Sequence, residues 1–87
     1  MKYMVVWNIK EQNLPAILER WKTLNPTPGK GAKLVARYHE MGTGKGYSLY
    51  EATNPGALAK HLLGWADLVD QKIVPVLDDN EMKRAAK

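Results

Sequence analysis

The opening run of this chain, Lys2 to Ile9, is apolar on both of its faces. No other feature narrows the available folds as much. In an extended strand successive side chains point to opposite sides. Tyr3, Val5, Trp7 and Ile9 therefore share one face, and Met4 and Val6 the other. A sheet with one wet face alternates apolar and polar residues, whereas a strand apolar on both sides needs cover above and below. The run Lys72 to Leu77 has the same two-sided character. Its Pro75 has no N–H for the ladder, which places it at a sheet edge or turns the blocked position away from the neighbouring strand.

Between these runs the period changes. Leu14, Ile17, Leu18, Trp21 and Leu24 recur at helical spacing, with Asn13 as a candidate N-cap and Pro15 in the first turn. Asn25-Pro26 and Pro28-Gly29 end that helix. Lys33 to Glu40 and Gly46 to Ala52 read as a hairpin closed by the glycine-rich turn Gly42-Thr43-Gly44-Lys45. Asn54-Pro55 starts a second helix, whose expected stripe is Leu58, Ala59, Leu62, Leu63 and Ala66, with Trp65 on its border. Residues 78–87 form a polar tail, read as a short helix with Asp79 near its start and Lys83, Arg84 and Lys87 near its end, as the helix dipole favours.

The predicted order is βαββαβ, an α+β chain of the ferredoxin-like pattern: a four-stranded antiparallel sheet with two helices on one face. The chain has 87 residues, room for a single domain spanning residues 1–87. Two helices cover one face of such a sheet, so the apolar second face calls for another layer. A domain this small buries only about 60% of the surface its unfolded chain exposes, and with no cysteine it has no disulfide to staple it. A second copy, sheet against sheet, supplies the missing layer, so a homodimer in the dimeric α/β barrel arrangement is expected.

Arg37, His39, Gly46, Glu51, Trp65, Asp67, Leu68, the Val74-Pro75-Val76 run and Asp78 together resemble the bacterial domain-of-unknown-function family 3303, over nearly the whole chain. The resemblance implies membership of the dimeric α/β barrel proteins. It brings no established activity, so catalytic residues and any reaction stay unassigned.

Candidate ligand-binding residues are Arg37, His39, Glu51, Asn8 and Trp65. Arg37 and His39, two apart, share a strand face. Facing into the barrel, they would bind an anionic or carbonyl group, with an imidazole as acid or base. Facing out, they would be a solvated pair with Leu34, Ala36 and Tyr38 packed inward; periodicity leaves both open. Glu51 is placed to reach Arg37 across the hairpin. Asn8 and Trp65 are placed to line a cavity. His61 stands off the expected apolar stripe and reads as a surface histidine. Some dimeric α/β barrels degrade haem with a helix histidine, an asparagine and a tryptophan; Asn8, His61 and Trp65 are similar in kind but do not align with that spacing. No cofactor or metal is expected.

The partner expected beside the second copy is a small anionic or aromatic ligand, with a cofactor-independent oxygenase of the same superfamily as the alternative. The glycine-rich turn lacks the GK[ST] ending and the following helix of a phosphate loop. Lys45-Gly46-Tyr47 matches the opening of the RNA recognition motif, but Leu49 and Ala52 stand where aromatics belong, and Val5 replaces one on the first strand. Nucleic acid is therefore disfavoured, and the net charge of +4 reads as ordinary solubilising lysine. With no secretory signal pattern and no apolar run of about 18 residues, a cytoplasmic protein away from membranes is expected.

Overall fold

The computed structural model describes residues 1–23 and 28–87. β1 (Lys2–Ile9) is followed by a 3-10 turn (Glu11–Asn13), α1 (Leu14–Thr23), β2 (Ala32–His39), β3 (Lys45–Ala52), α2 (Pro55–Leu63), β4 (Val69–Val76) and α3 (Asp79–Ala85). The four strands form one antiparallel sheet in the order β2-β3-β1-β4. β1 is central and β4 lies at an edge, where Pro75 is tolerated. β4 begins three residues before the predicted start and pairs along the whole of β1, from Ile9 opposite Val69 to Lys2 opposite Val76.

The core lies on one side of the sheet. Val5, Tyr50, Ala52, Leu58 and Leu62 form its centre, flanked by Tyr3, Trp7, Ala32 and Leu34. β1 thus turns Tyr3, Val5 and Trp7 to the helices, as its periodicity predicted, with Val5 only 1% exposed. The opposite face carries Met4 and Val6 from β1, Ala36 and Tyr38 from β2, Tyr47 and Leu49 from β3, and Val74 and Val76 from β4, by the register of the ladders.

Each helix has a local cause. Asn54 caps α2 by accepting a hydrogen bond from the Gly56 N–H at 2.9 Å, with Pro55 just inside. Asp78 and Glu81 form a capping box that starts α3. Lys2 joins it, 3.2 Å from Asp78 and 3.0 Å from Glu81, and ties α3 to the first strand. Asn13 instead ends the 3-10 turn, and its side-chain N–H donates to the Leu68 carbonyl at 3.1 Å. The expected stripe residue Leu24 and the Asn25-Pro26 stop lie outside the described residues.

The apolar stripe of α1 does not pack tightly on the sheet. Ile17 is buried, but Leu14, Leu18 and Trp21 stay exposed, Leu18 at 54%. The stripe of α2 is rotated from the predicted one. Leu58 and Leu62 are buried, whereas Ala59 is exposed and Leu63 is 73% exposed. His61 and Trp65 complete the inward set, so the spacing i, i+3, i+4, i+7 runs through residues 58, 61, 62 and 65. Both phases contain Leu58 and Leu62. Packing on the sheet decides between them: α2 lies on β2 and β3, and His61 meets Tyr50 of β3 there. Among the described residues no helix is long and apolar enough to cross a membrane.

Candidate functional site

A cleft of about 400 Å³ lies between the two long helices and the sheet face beneath them. Leu14, Leu18 and Trp21 of α1 roof it, α2 and the turn after it supply His61 and Trp65, and the sheet supplies the floor. All three tryptophans of the chain line it. It lies within one chain, on the helix-covered face of the sheet and not on the helix-free face, where a site was expected if the chain formed a barrel with a second copy.

The floor depends on a bulge in β2. Leu34 stands opposite Tyr50, but Ala36 stands opposite the adjacent Leu49, so Val35 is the extra residue. A bulge of one residue exchanges the faces of everything beyond it. Leu34 packs on the core before the bulge, and Arg37 and His39 turn to the same side after it, opposite Ser48 and Gly46. Strict alternation would have put Leu34 and Arg37 on opposite faces. Tyr38, now on the helix-free face, is 68% exposed.

Arg37 lies across this floor. Its Nε–H donates to Ser48 Oγ and an Nη2–H to the Tyr50 hydroxyl, each at 3.4 Å, and its guanidinium lies 4.9 Å from the centre of the Trp21 ring. Ser48 is buried and also accepts the Trp7 Nε1–H at 3.0 Å. His39 stands at the mouth with its ring edge-on to Trp7, 5.1 Å between centroids. The half-buried His61 lies edge-on to Tyr50 at 5.9 Å. Trp65 lies against Trp21 with the rings tilted by 55° and their centroids 6.1 Å apart, and under the Arg20 guanidinium at 5.7 Å.

Two expected site residues are elsewhere. Glu51 does not meet Arg37: it stands opposite Lys33 and Lys2 on the helix-free face, because Ser48 and Glu51 are three apart on a regular strand and so point to opposite sides. Asn8 is exposed on that same face, opposite Lys45 and Asp70, since it alternates with Trp7. It therefore cannot share a haem pocket with His61 and Trp65, and the haem-degrading arrangement does not fit. His61, read from sequence as a surface side chain, is instead a wall of the cleft.

The sequence profile of the family described as Domain of unknown function (DUF3303) matches residues 1–87. The chain belongs to this family. No curated protein and no solved structure matches it.

The electrostatics of this DUF3303 domain set the chemistry of its cleft. Burial, and then the nearby Arg37 charge, push His61 below the ordinary histidine range. The one carboxylate on the lining, Glu40, is drawn away to the turn. It accepts hydrogen bonds from the Tyr47 hydroxyl, on the helix-free face, and from Thr43 at 2.9 Å. These bonds hold Glu40 below the usual carboxylate range and push Tyr47 up. The cations on the lining are Arg37 and Lys45, and Arg37 is hydrogen-bonded to Ser48 and Tyr50 of the floor. Among the described residues no cluster of three or more His, Asp or Glu side chains is placed to hold a metal ion.

Sequence reading singled out Arg37, His39 and Trp65, which the fold brings together. It missed Ser48, Tyr50, His61 and Trp21 as site residues. Trp21 was visible as a member of the α1 stripe, but nothing in the sequence says that the stripe roofs a cleft. Val5 and Ala52 are buried core residues, and the helix-free face carries Met4 and Val6 of β1 beside Tyr47 and the exposed Tyr38 of the hairpin.

Proposed function

We propose that this domain binds a small organic molecule with an apolar, aromatic-sized body in the cleft between α1, α2 and the sheet. The observation that carries this reading is the lining itself: exposed apolar and indole side chains above a floor of Arg37, Ser48 and Tyr50. Small-ligand sites are concave, mostly apolar and fitted with a few convergent polar groups, at volumes of about 300–1,000 Å³. Stability alone would favour closing α1 onto the sheet to bury Leu14 and Leu18.

The same reading includes the assembly. The order β2-β3-β1-β4 with two helices on one side supports a ferredoxin-like fold. The helix-free face, apolar at Met4, Val6, Leu49, Val74 and Val76, is proposed to pair with that of a second copy as a dimeric α/β barrel. The accessible surface is 6204 Å² for 9.8 kDa, against about 5,200 Å² for a monomer of that mass. The radius of gyration is 14.1 Å, against about 12 Å for a compact domain of this length. Both excesses suit a protomer that shares a layer with its partner.

The test uses the tryptophans as reporters. A thermal-shift screen of small aromatic and alicyclic compounds is expected to yield binders that change tryptophan fluorescence. In Leu18→Asp, which puts a charge on an exposed roof residue, that change should fall at least about tenfold in affinity while the melting temperature stays near wild type. Binders unaffected by Leu18→Asp, or the failure of every compound to shift either signal, would overturn the proposal.

A further inference from the structure

Tyr50 meets two basic groups from different elements. On one side its hydroxyl accepts from Arg37 of β2, and on the other its ring meets His61 of α2 edge-on at 5.9 Å. All three lie in the cleft wall. An arginine guanidinium attracts a carboxylate by its charge and by N–H donation, and a carboxylate has lone pairs enough on its two oxygens for a second donor alongside. An imidazole is that donor only when it carries a proton on the nitrogen that faces the ligand.

We infer that the cleft takes a small monocarboxylate with an apolar body, its head group set between Arg37 and His61, and that binding draws one proton from solvent onto His61. This deepens the ligand-binding reading above and rests on it. The apolar roof excludes a highly charged ligand, since each further charge would be stripped of water without a partner.

The groups around His61 support the proton step. The titratable groups that line the cleft with it are Arg37 and His39 of β2, Glu40 just beyond that strand with its carboxylate turned to Tyr47, and Tyr50 and Lys45 of β3. The cleft residues of α1, β1 and β4, among them Leu18, Val5 and Gln71, bring no charge, and Lys60 on its own helix is exposed. Burial and the Arg37 charge both oppose a positive charge on His61. A bound carboxylate reverses the sign of that local field, so the proton-bound form becomes the favoured one.

The experiment compares 1-naphthoate with the isosteric, uncharged 1-naphthamide by calorimetry and tryptophan fluorescence. Wild type should bind the acid at least about tenfold more tightly than the amide. Its affinity for the acid should rise several-fold as pH falls from 8 to 6, a range in which a carboxylic acid with an ordinary pKa of about 4 stays ionised. Heats measured in two buffers of different ionisation enthalpy should show net proton uptake with the acid and none with the amide. Arg37→Gln should erase the acid-over-amide preference. His61→Gln should erase the proton uptake and the pH slope, while His39→Gln keeps both. Retained amide binding certifies that each variant's cleft is formed. Equal affinity for acid and amide overturns this inference and leaves the binding cleft standing, as does a slope that survives in His61→Gln or disappears in His39→Gln. Failure of both probes to bind wild type overturns the two readings together.

Discussion

Gly46 stands opposite Trp7 in the β1–β3 ladder, and the indole lies across it. A Cβ at position 46 would meet the Trp7 ring at 2.0 Å, so the ring and its hydrogen bond to Ser48 require that there be none. Gly46 is thus kept for close approach and not for backbone freedom. Gly46→Ala should destabilise the fold by about 1–3 kcal/mol, the usual cost of overpacking, and shift the tryptophan emission. Gly29→Ala is the control, because nothing lies within 4 Å of a Cβ there. Equal denaturation midpoints for the two variants would show that Trp7 has another place to go. At the same scale, the single extra residue Val35 decides whether Arg37 meets solvent or the cleft.

At the level of elements, α1 is the least anchored of the two long helices. Among the described residues it buries Ile17, and polar bonds near its two ends tie it to the turn after α2. Asn13 reaches the Leu68 carbonyl. Arg20 donates to the Gly64 carbonyl at 3.0 Å and to both oxygens of Asp67 at 2.7 and 2.8 Å. The Arg20 hydrogen bonds hold the Asp67 carboxyl below its usual range. A carboxyl with a depressed folded pKa stabilises fully above its unfolded value of about 4, and that contribution fades as pH falls through the folded value. In Asp67→Asn, amide exchange across α1 should quicken at pH 7, with α2 unchanged. Acidifying wild type from pH 5 to 3 should loosen α1 in the same way, and the variant should respond less. Uniform exchange changes across both helices would mean that the pair supports the whole fold and not the roof of the cleft.

For the whole molecule, the central question is what covers the second face of the sheet. Met4 of β1, and Val74 and Val76 of β4, put apolar side chains on the face away from α1 and α2. A homodimer at micromolar concentration is the expected result of light scattering. Val74→Glu should yield monomers and lower the melting temperature together, since folding and association share the buried surface. A wild type that sediments as a stable monomer, with Val74→Glu equally stable, would leave that face an ordinary sheet surface. The cleft belongs to one chain, so ligand affinity per protomer is expected to survive dilution better than the dimer does.

The sequence by itself determined the succession of elements, because period-2 and period-3.6 apolar patterns, the Asn54-Pro55 start and the glycine-rich turn are all local signals. It also determined that β1 is central and which of its side chains share a face. Tertiary structure alone decided where the candidate site residues lie. Arg37 and His39 reach the cleft through a bulge whose extra residue no local pattern marks, since Val35 suits a regular strand equally well. His61 became a wall residue, and Leu63 a surface one, because α2 has two apolar phases that share Leu58 and Leu62, and only its packing on β2 and β3 selects between them. Glu51 and Asn8 left the site for the complementary reason. In a regular strand the face is set by parity from a reference residue, and the reference is fixed only when the helices have chosen their side of the sheet.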